Sequence, residues 1–309
     1  MAISTDNNEI QNFLDRGVEK VFPSREFLET RLKEGKQLSI YLGIDPTGPT
    51  FHLGHAIMLR KLRHFQDLGH KIILLIGDFT GMIGDPTDKS SARVRLNREE
   101  VLQNAKKYKL QAGKILSFSG KNKAEVKYNS KWLGKMNFAE VVELASHFTV
   151  QQMLHRNMFK NRIKENKDIH LHEFLYPLMQ GYDCVVMDVD GEIGGNDQMF
   201  NMMAGRDLMK SMLGKEKFVI TMKLLVDPTG KKMGKSEGNM ITFEDTAEDM
   251  FGKIMSWNDE MILPGFELLT DVSEEERKEM EKDMKAGTNP RDNKIRLAKE
   301  VVSFFYDIQ

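Results

Sequence analysis

The sequence holds only one cysteine, Cys184, among its 309 residues. A single thiol excludes an internal disulfide framework and any cysteine-based zinc cluster, and it fits a reducing cytosol. Long apolar runs are also missing, because the longest strongly apolar stretch, residues 72–76, is far too short to cross a bilayer. The N-terminus, MAISTDNNEI, is polar and acidic, so no signal peptide is predicted. We therefore expect a cytoplasmic protein with no membrane partner.

An excess of charge of one sign is missing as well. The chain has 45 basic and 46 acidic side chains. Its net charge therefore favours neither a nucleic-acid coat nor a membrane surface, although a polyanion can still bind to a local patch. Hydrophobic residues make up 40% and charged residues 29%, a balance that argues against a disordered or fibrous chain. At ~150 residues per domain, the length predicts about two domains.

The apolar pattern near the N-terminus predicts a βαβ unit. Residues 38–44 and 71–77 are short apolar runs rich in β-forming residues, and between them apolar side chains recur at three-residue steps up to Leu68. Gly69 is well placed to end that helix, and Asn97 followed three residues later by Glu100 predicts the start of the next one. Further strands are predicted at residues 124–128, 184–189 and 218–222, and a helix at 173–182. We expect an α/β fold with a Rossmann-like, doubly wound parallel sheet.

The sequence changes character after about residue 245, where strand signals end. Residues 245–257, 273–285 and 290–306 all have helical patterns, and Ser273 followed by Glu276 has the spacing of a capping box. We therefore expect a smaller, all-helical domain at the C-terminus.

Two histidines stand where the first predicted strand leads into the helix. The segment DPTGPTFHLGH, residues 45–55, places His52 and His55 three apart. Both imidazoles then lie on one face of the opening turn, beside free backbone N–H groups, which suits a phosphate. Gly54 lets a base or sugar approach the backbone. The alternatives are two polar residues at a helix start, or half of a metal site that lacks its other ligands.

A second cluster, GKKMGKS, occupies residues 230–236. It is not a Walker A loop, because only three residues separate its two glycines. Residues 84–90 do not match a Walker A loop either, because Asp88 stands at the position of the second glycine. The failed spacing counts against a P-loop kinase. What remains is a glycine-containing loop whose Lys232 and Lys235 could close over a polyphosphate, or simply a solvated basic loop.

Together the two clusters resemble the paired HIGH and KMSKS signatures of the class I aminoacyl-tRNA synthetases. The blocks YLGIDPTGPTFHLGH, TGMIGDPTDKS, YPLMQGYD, GGNDQ and KMGKS, in this order, are similar to the tyrosyl-tRNA synthetase family from about Phe13 to Tyr306. The resemblance implies that L-tyrosine reacts with ATP, which carries Mg²⁺, to give tyrosyl-AMP and pyrophosphate. Tyrosine then passes to the 3′ end of tRNA(Tyr). Leu53 and Gly234 depart from the consensus, but both histidines and both lysines remain.

The resemblance implies a set of residues around ATP. Thr47 and His52 should contact the terminal phosphate in the transition state, and His55 should lie nearer the ribose and adenine. The further cations implied are Lys89, Arg93, Lys232 and Lys235, with Ser236 beside them. The remaining nucleotide contacts implied are Gly43, Asp45, Gly54, Gly195 and Asp197, of which Asp197 matches a ribose-binding carboxylate. Cations help because charge builds up on the phosphates only as the bond to the α-phosphate breaks. No protein metal ligand is implied.

The resemblance also implies an amino-acid pocket. Tyr41 and Asp183 should meet the substrate phenol, a geometry that rejects phenylalanine because buried polar groups would lose their partners. The ammonium should be held by Tyr176, Gln180 and Asp85, while Gln198 points toward the carboxylate. Thr80 and Asn129 are weaker candidates at the pocket edge.

By the same resemblance we expect a homodimer that binds tRNA. The expected catalytic domain is residues 1–226, with a connecting insertion of about 126–178 that contains the dimer interface. Residues 227–244 form the linker with the KMGKS loop, and 245–309 a helical domain on the anticodon side. Bacterial relatives often continue into a further C-terminal RNA-binding domain, which we expect to be absent here, so that either the sequence was cut before it or tRNA binding relies on what remains. Expected phosphate contacts are Lys106, Lys107, Lys109, Lys114, Lys121, Lys123, Lys127, Lys131, Arg156, Lys160, Arg162, Lys164 and Lys167.

Two other functions stay open. A tryptophanyl-tRNA synthetase shares the fold and both signatures, although Tyr41 and the YPLMQGYD block favour tyrosine. A non-catalytic RNA-binding relative would have no need of the histidine and lysine pairs.

Overall fold

The computed structural model describes residues 3–87, 96–227 and 240–306. Within them, six strands form one sheet: β1 (Val18–Phe22), β2 (Ser39–Ile44), β3 (Lys71–Ile76), β4 (Glu125–Tyr128), β5 (Gly191–Gly195) and β6 (Phe218–Met222). The helices of the first part are α1 (Asn7–Asp15), α2 (Arg25–Lys33), α3 (Leu53–Asp67), α4 (Thr80–Ile83), α5 (Arg98–Ala105), α6 (Tyr108–Ala112), α7 (Ser130–Leu133), α8 (Phe138–Ser146), α9 (Val150–Leu154), α10 (Asn157–Lys164), α11 (Leu171–Met187) and α12 (Met199–Leu213).

The C-terminal region is helical, as expected. It contains α13 (Ala247–Met255), α14 (Ile262–Leu269), α15 (Glu274–Lys285) and α16 (Arg291–Phe305). Short 3₁₀ helices occur at Asn196–Gln198 and Asp259–Met261. Ser273 and Glu276 form the predicted capping box at the start of α15.

The strand order is β1-β6-β5-β2-β3-β4, with only β1 antiparallel to its neighbour among the paired strands described. From β2 the chain proceeds outward to β3 and β4, and it then returns to the other side of β2 to form β5 and β6. The direction of winding thus reverses between β2 and β5. In open α/β sheets, ligands bind at the carboxyl ends of the strands at such a reversal.

Alternate side chains of the central strands pack against helices on opposite faces of the sheet. Ile40 and Leu42 belong to the main core with α3 and the C-terminal helices. Tyr41 lies on the other face, in a cluster with Ile73 and Cys184. Burial on both faces explains why β2 and β3 read as continuous apolar runs in the sequence.

Most of the predicted elements are confirmed. Four of the predicted strands correspond to β2, β3, β4 and β6, Gly69 ends α3 with φ +95°, and Asn97 caps α5. The prediction of a strand at 184–189 is wrong, because α11 continues to Met187 and a left-handed residue, Asp188, ends it. An apolar run of that length does not distinguish a buried helix from a strand. Strands β1 and β5 were not predicted.

The proposed insertion of residues 126–178 begins inside β4 and ends inside α11. Between these elements lie the short helices α7 to α10. The C-terminal helices are tied to the N-terminal region by Arg16, whose guanidinium donates to the carbonyl oxygens of Phe266, Glu267, Thr270 and Val272. Phe266 and Glu267 lie in the last turn of α14, whose carbonyls lack backbone partners further along the helix, and Thr270 and Val272 follow it. No helix in the described ranges is both long and apolar enough to span a membrane.

Candidate active site

The predicted site residues lie at the carboxyl ends of the parallel strands. Asp45 follows β2, Thr80 lies four residues beyond β3, Asn129 follows β4, and the Asn196–Gln198 turn follows β5. The backbone N–H of Asn129 also donates to the carbonyl of the last residue of β3, at 3.2 Å. Four separate stretches of sequence therefore meet at one edge of the sheet, where the winding reverses.

Asp45 connects two of these stretches with α11. The Thr80 hydroxyl donates to Asp45 Oδ1 at 2.6 Å, and the Tyr176 hydroxyl donates to Asp45 Oδ2 at 2.9 Å. Gly77 is required beside them, because a Cβ at this position would overlap the Asp45 carboxylate and the Thr80 hydroxyl. The carboxylate is thus held in one orientation by donors on both of its oxygens.

Asp183 lies on α11 and is 2% exposed. It accepts from Trp132 Nε1 at 2.7 Å and from Asn129 Nδ2 at 3.2 Å. Burial raises the pKa of Asp183 well above its usual range, against the effect of the two N–H donors. Asn129 Nδ2 also lies 3.0 Å from the Thr80 hydroxyl oxygen. One network therefore joins the carboxylates of Asp183 and Asp45.

Tyr41 is fully buried on β2, and its hydroxyl lies 3.0 Å from the sulfur of Cys184, the neighbour of Asp183 in sequence. Burial raises the pKa of Tyr41 well above its usual range, and electrostatic interactions with Cys184, Glu192 and Asp183 act in the same direction. The phenol of Tyr41 is therefore neutral at physiological pH and can both donate and accept a hydrogen bond. The structure thus places Tyr41 near Asp183, close enough for the carboxyl to act on the pKa of the phenol.

Tyr176 and Asp85, two of the residues predicted for the substrate ammonium, lie near each other. Burial raises the pKa of Tyr176 well above its usual range, and nearby Asp45, Asp85 and Asp183 raise it further. Gln198 Nε2 donates to Asp85 Oδ2 at 2.7 Å. Gln180 Nε2, by contrast, donates to Glu192 Oε1 at 3.1 Å. Several carboxylates around one buried phenol make a region of negative potential that suits an ammonium group.

The two histidines form the start of α3. His52 Nδ1 accepts from the Gly54 N–H and His55 Nδ1 from the His52 N–H, each at 3.1 Å, and their ring centroids are 4.0 Å apart. Burial lowers the pKa of His52 to about 4 and that of His55 well below its usual range. Both rings are therefore neutral at pH 7, and with Nδ1 as acceptor each carries its proton on Nε2. The structure also gives Gly54 a local reason, since a Cβ there would lie 2.8 Å from the His52 ring.

The histidine motif lies beside the chain that follows the KMGKS segment. Leu53 N–H donates to Ile241 O at 3.0 Å, Phe243 N–H donates to Phe51 O at 2.9 Å, and His52 forms a β-bridge with Thr242. The histidine motif and the segment that follows the KMGKS motif, although far apart in sequence, are therefore neighbours in the fold. The predicted site residues Lys232, Lys235 and Ser236 lie outside the described residues, as do Lys89 and Arg93.

The remaining nucleotide candidates line the same edge. Gly43 is exposed although it belongs to a central strand, and Thr47 is exposed in the loop that follows. Gly195 ends β5, and a Cβ there would overlap the Asp197 carboxylate. The described ranges contain no cluster of three or more His, Cys, Asp or Glu side chains arranged to hold a metal ion.

Sequence reasoning missed two residues of this region, Trp132 and Glu192. Trp132 is one of two tryptophans in the chain and lies three residues after Asn129, which is the signal that could have identified it. Glu192 lies in β5, whose sequence GEIGG has little β propensity and was not read as a strand.

Part of the expected tRNA surface is corrected by the structure. Arg162 is 1% exposed and makes a two-bond ion pair with Glu173, and Arg156 is also buried. Neither guanidinium is presented to a polyanion. The lysines 106, 107, 109, 114, 121, 123, 131, 160, 164 and 167 are exposed, and Lys127 is half-buried.

A cavity of about 730 Å³ lies elsewhere, between α1, the end of α3 and α15. Its walls include Arg16, His64, Asp271 and Arg277, and none of the residues predicted for the site lines it. Its polar walls carry both signs of charge, and Arg16 is already saturated by backbone carbonyls.

The family model for class I tRNA synthetases (W and Y) matches residues 33–307. The chain belongs to this family. A tyrosine–tRNA ligase of Mannheimia succiniciproducens is 46% identical over 303 residues, covering 98% of the chain and 76% of the relative, and one of Carboxydothermus hydrogenoformans is 48% identical over 298 residues, covering 95% and 72%. Among solved structures of the fold, a tyrosyl-tRNA synthetase of Archaeoglobus fulgidus complexed with L-tyrosine has a TM-score of 0.78 at 23% identity and covers 98% of both chains. This class I synthetase thus has the expected α/β fold.

Proposed function

We propose that the chain is a tyrosine–tRNA ligase. It activates L-tyrosine with ATP to tyrosyl-AMP and transfers the tyrosine to the 3′ end of tRNA(Tyr). The observation that carries this proposal is the buried network from Trp132 and Asp183 through Asn129 and Thr80 to Asp45, at the reversal point of the sheet. The family and the curated tyrosine–tRNA ligases with which the chain shares 46–48% identity support it.

We place the substrate cleft along the carboxyl ends of the strands, and its buried end, at Tyr41 and Asp183, recognises the substrate side chain. Tyr41 and Asp183 each offer a hydrogen bond to the phenol, and phenylalanine cannot use either. A buried carboxyl left without its partner costs about 1–3 kcal/mol, so recognition works by penalising the wrong amino acid. The ammonium is held near Tyr176, Gln180 and Asp85, and the carboxylate near Gln198.

The open end of the cleft binds ATP. Asp197 holds the ribose, beside Gly195. Gly43 and Asp45 leave room for the α-phosphate. His55 and Gly54 lie along the nucleoside. Thr47 and His52 contact the terminal phosphates, a role that the family resemblance also gives to Lys89, Arg93, Lys232, Lys235 and Ser236. Mg²⁺ enters with ATP and leaves with pyrophosphate, so it belongs to the substrate.

The reaction requires no protein nucleophile. A carboxylate oxygen of tyrosine attacks the α-phosphorus, the bond from that phosphorus to the bridging oxygen breaks, and pyrophosphate takes the electron pair. A neutral His52 contributes an Nε2–H hydrogen bond to the phosphate oxygens as their charge grows, without giving up its proton. The second step exchanges AMP for a ribose hydroxyl of the tRNA.

We propose further that the enzyme is a cytoplasmic homodimer whose exposed lysines contact tRNA. The segment from the end of β4 to the start of α11 exposes a set of large apolar side chains: Phe138 and Leu171 are each 82% exposed, and Val142, Val150 and Ile163 are at least half exposed. Such a group of exposed apolar residues is typical of a protein–protein interface.

Amino-acid-dependent exchange of labelled pyrophosphate into ATP tests the activity. Exchange with tyrosine, and neither with phenylalanine nor with tryptophan, is the expected result. Exchange with tryptophan alone would make the chain a tryptophanyl enzyme, which the family model also covers. RNA binding without exchange with any amino acid would make it a non-catalytic relative.

A further inference from the structure

A buried ion pair lies beneath the proposed tyrosine pocket, outside the residues assigned above to substrate contact. Lys217, immediately before β6, is 0% exposed, and its ammonium contacts the carboxylate of Glu192 on β5, which is 2% exposed. Burying two charges carries a large desolvation cost, which close pairing only partly offsets. Replacing a buried ion pair by apolar side chains of similar size is often neutral or stabilising. The presence of the two charges here therefore suggests a functional role.

The pair is connected to the pocket at both of its ends. Lys217 Nζ lies 3.0 Å from Cys184 Sγ, and Cys184 Sγ lies 3.0 Å from the Tyr41 hydroxyl. Glu192 Oε1 accepts from Gln180 Nε2 at 3.1 Å. Burial raises the pKa of Cys184 to about 12, so the sulfur is a neutral thiol that relays a hydrogen bond.

The fold makes room for the lysine head. Gly205 on α12 faces it, and a Cβ at that position would lie 2.8 Å from Lys217 Nζ and 2.7 Å from Cys184 Sγ. The ammonium is therefore confined between Glu192, Cys184 and the backbone of α12. Its position is fixed by packing as well as by charge.

We propose that Lys217 and Glu192 are positioning residues of the tyrosine pocket, which hold the Tyr41 hydroxyl through Cys184 and the Gln180 amide directly. The proposal rests on the proposed function, since it needs Tyr41 and Gln180 to touch tyrosine. Loss of either charge leaves the other buried without a partner, and the freed group competes for Gln180 or Cys184. Tyrosine binding suffers, and ATP binding at the open end of the cleft does not.

The test uses the full chain in pyrophosphate exchange, with KM measured separately for tyrosine and for ATP. Lys217→Met is expected to raise the KM for tyrosine about tenfold, the cost of unpairing one buried hydrogen-bonded group, with the KM for ATP unchanged. The double variant Lys217→Met/Glu192→Gln, which buries no charge and keeps an acceptor for Gln180, should recover most of the loss. Cys184→Ala keeps the ion pair and cuts only its link to Tyr41, so it remains informative if Lys217→Met fails to fold. It should lower the preference for tyrosine over phenylalanine.

Arg206→Met is the matched control, because Arg206 on α12 pairs with Glu216, which is not one of the residues proposed for the pocket. It should leave both KM values unchanged. If Lys217→Met and Cys184→Ala lower only the melting temperature, or raise both KM values together, the pair is merely structural and the inference is wrong. Absence of tyrosine-dependent exchange in the unmodified chain would instead overturn the proposed function, and the inference with it.

Discussion

Replacing Asp183 with asparagine should remove the preference for tyrosine while keeping the shape of the pocket. The two carboxylate oxygens of Asp183 face two N–H donors, Trp132 Nε1 at 2.7 Å and Asn129 Nδ2 at 3.2 Å. An amide has a single oxygen, so its NH₂ group must face one of these donors. Asn129 cannot turn its own amide to compensate, because Asn129 Oδ1 accepts from the Phe79 N–H at 2.9 Å.

The donor–donor contact is present with or without substrate, so it lowers the stability of the free protein and acts equally on both amino acids. The substrate phenol separately loses its acceptor, and a buried hydrogen-bonding group left without its partner costs about 1–3 kcal/mol. The kcat/KM for tyrosine should therefore fall about 10- to 100-fold in pyrophosphate exchange, since ~1.4 kcal/mol corresponds to tenfold. Phenylalanine makes no hydrogen bond there, so its kcat/KM should stay nearly constant and the ratio between the two substrates should collapse.

Asp78→Asn is the matched control. Asp78 is equally buried at the same edge of the sheet and holds the backbone N–H and hydroxyl of Ser130, at 2.9 and 2.6 Å. The same substitution therefore disturbs a buried carboxylate without touching the proposed phenol site. If both variants change the ratio of tyrosine to phenylalanine alike, or if Asp183→Asn leaves it intact, the assignment of Asp183 is refuted.

Three further predictions concern stability, the cleft and assembly. Burial lowers the pKa values of His52, His64 and His70 to about 4, so their contribution to stability is complete above pH 6.5 and is lost as the pH falls toward 4, with about 1.4 kcal/mol per pH unit per histidine near pH 5. Urea unfolding of His70→Gln should show a shallower pH dependence, and an unchanged slope would contradict this. Gly77→Ala should reduce tyrosine-dependent exchange at least tenfold, because its Cβ separates Asp45 from Thr80; Gly252→Ala, with open space around it, should not. Phe138→Asp and Leu171→Asp should convert a dimer to monomer in analytical ultracentrifugation, whereas Leu110→Asp, at an equally exposed residue outside that segment, should not.

The sequence predicted the structural elements whose cause lies in residues close together in the chain. The apolar runs of β2 and β3, the glycine after α3 and the capping boxes of α5 and α15 each have a local physical cause, and each was predicted. The gathering of Tyr41, Asp45, Tyr176 and Asp183 depended on the family resemblance, since no periodicity brings residues more than 100 positions apart to one sheet edge.

The misses have physical reasons too. The run 184–189 is apolar because the end of α11 is buried against the sheet, and a buried helix end reads like a strand. Strand β5 consists largely of glycine, which has low β propensity but leaves space for neighbouring side chains: a Cβ at Gly191 would overlap the Phe218 ring. Lys217 immediately precedes β6 and Glu192 lies in the neighbouring strand β5. Their pairing therefore depends on the register between the two strands, which the sequence does not show.

A crystal structure with L-tyrosine and a non-hydrolysable ATP analogue would show both halves of the proposed site at once. We predict the phenol oxygen within hydrogen-bonding distance of both Tyr41 and Asp183, and the phosphates beside His52. Tyrosine bound away from the β2–β5 edge, for example in the cavity lined by Arg16 and Arg277, would contradict the account.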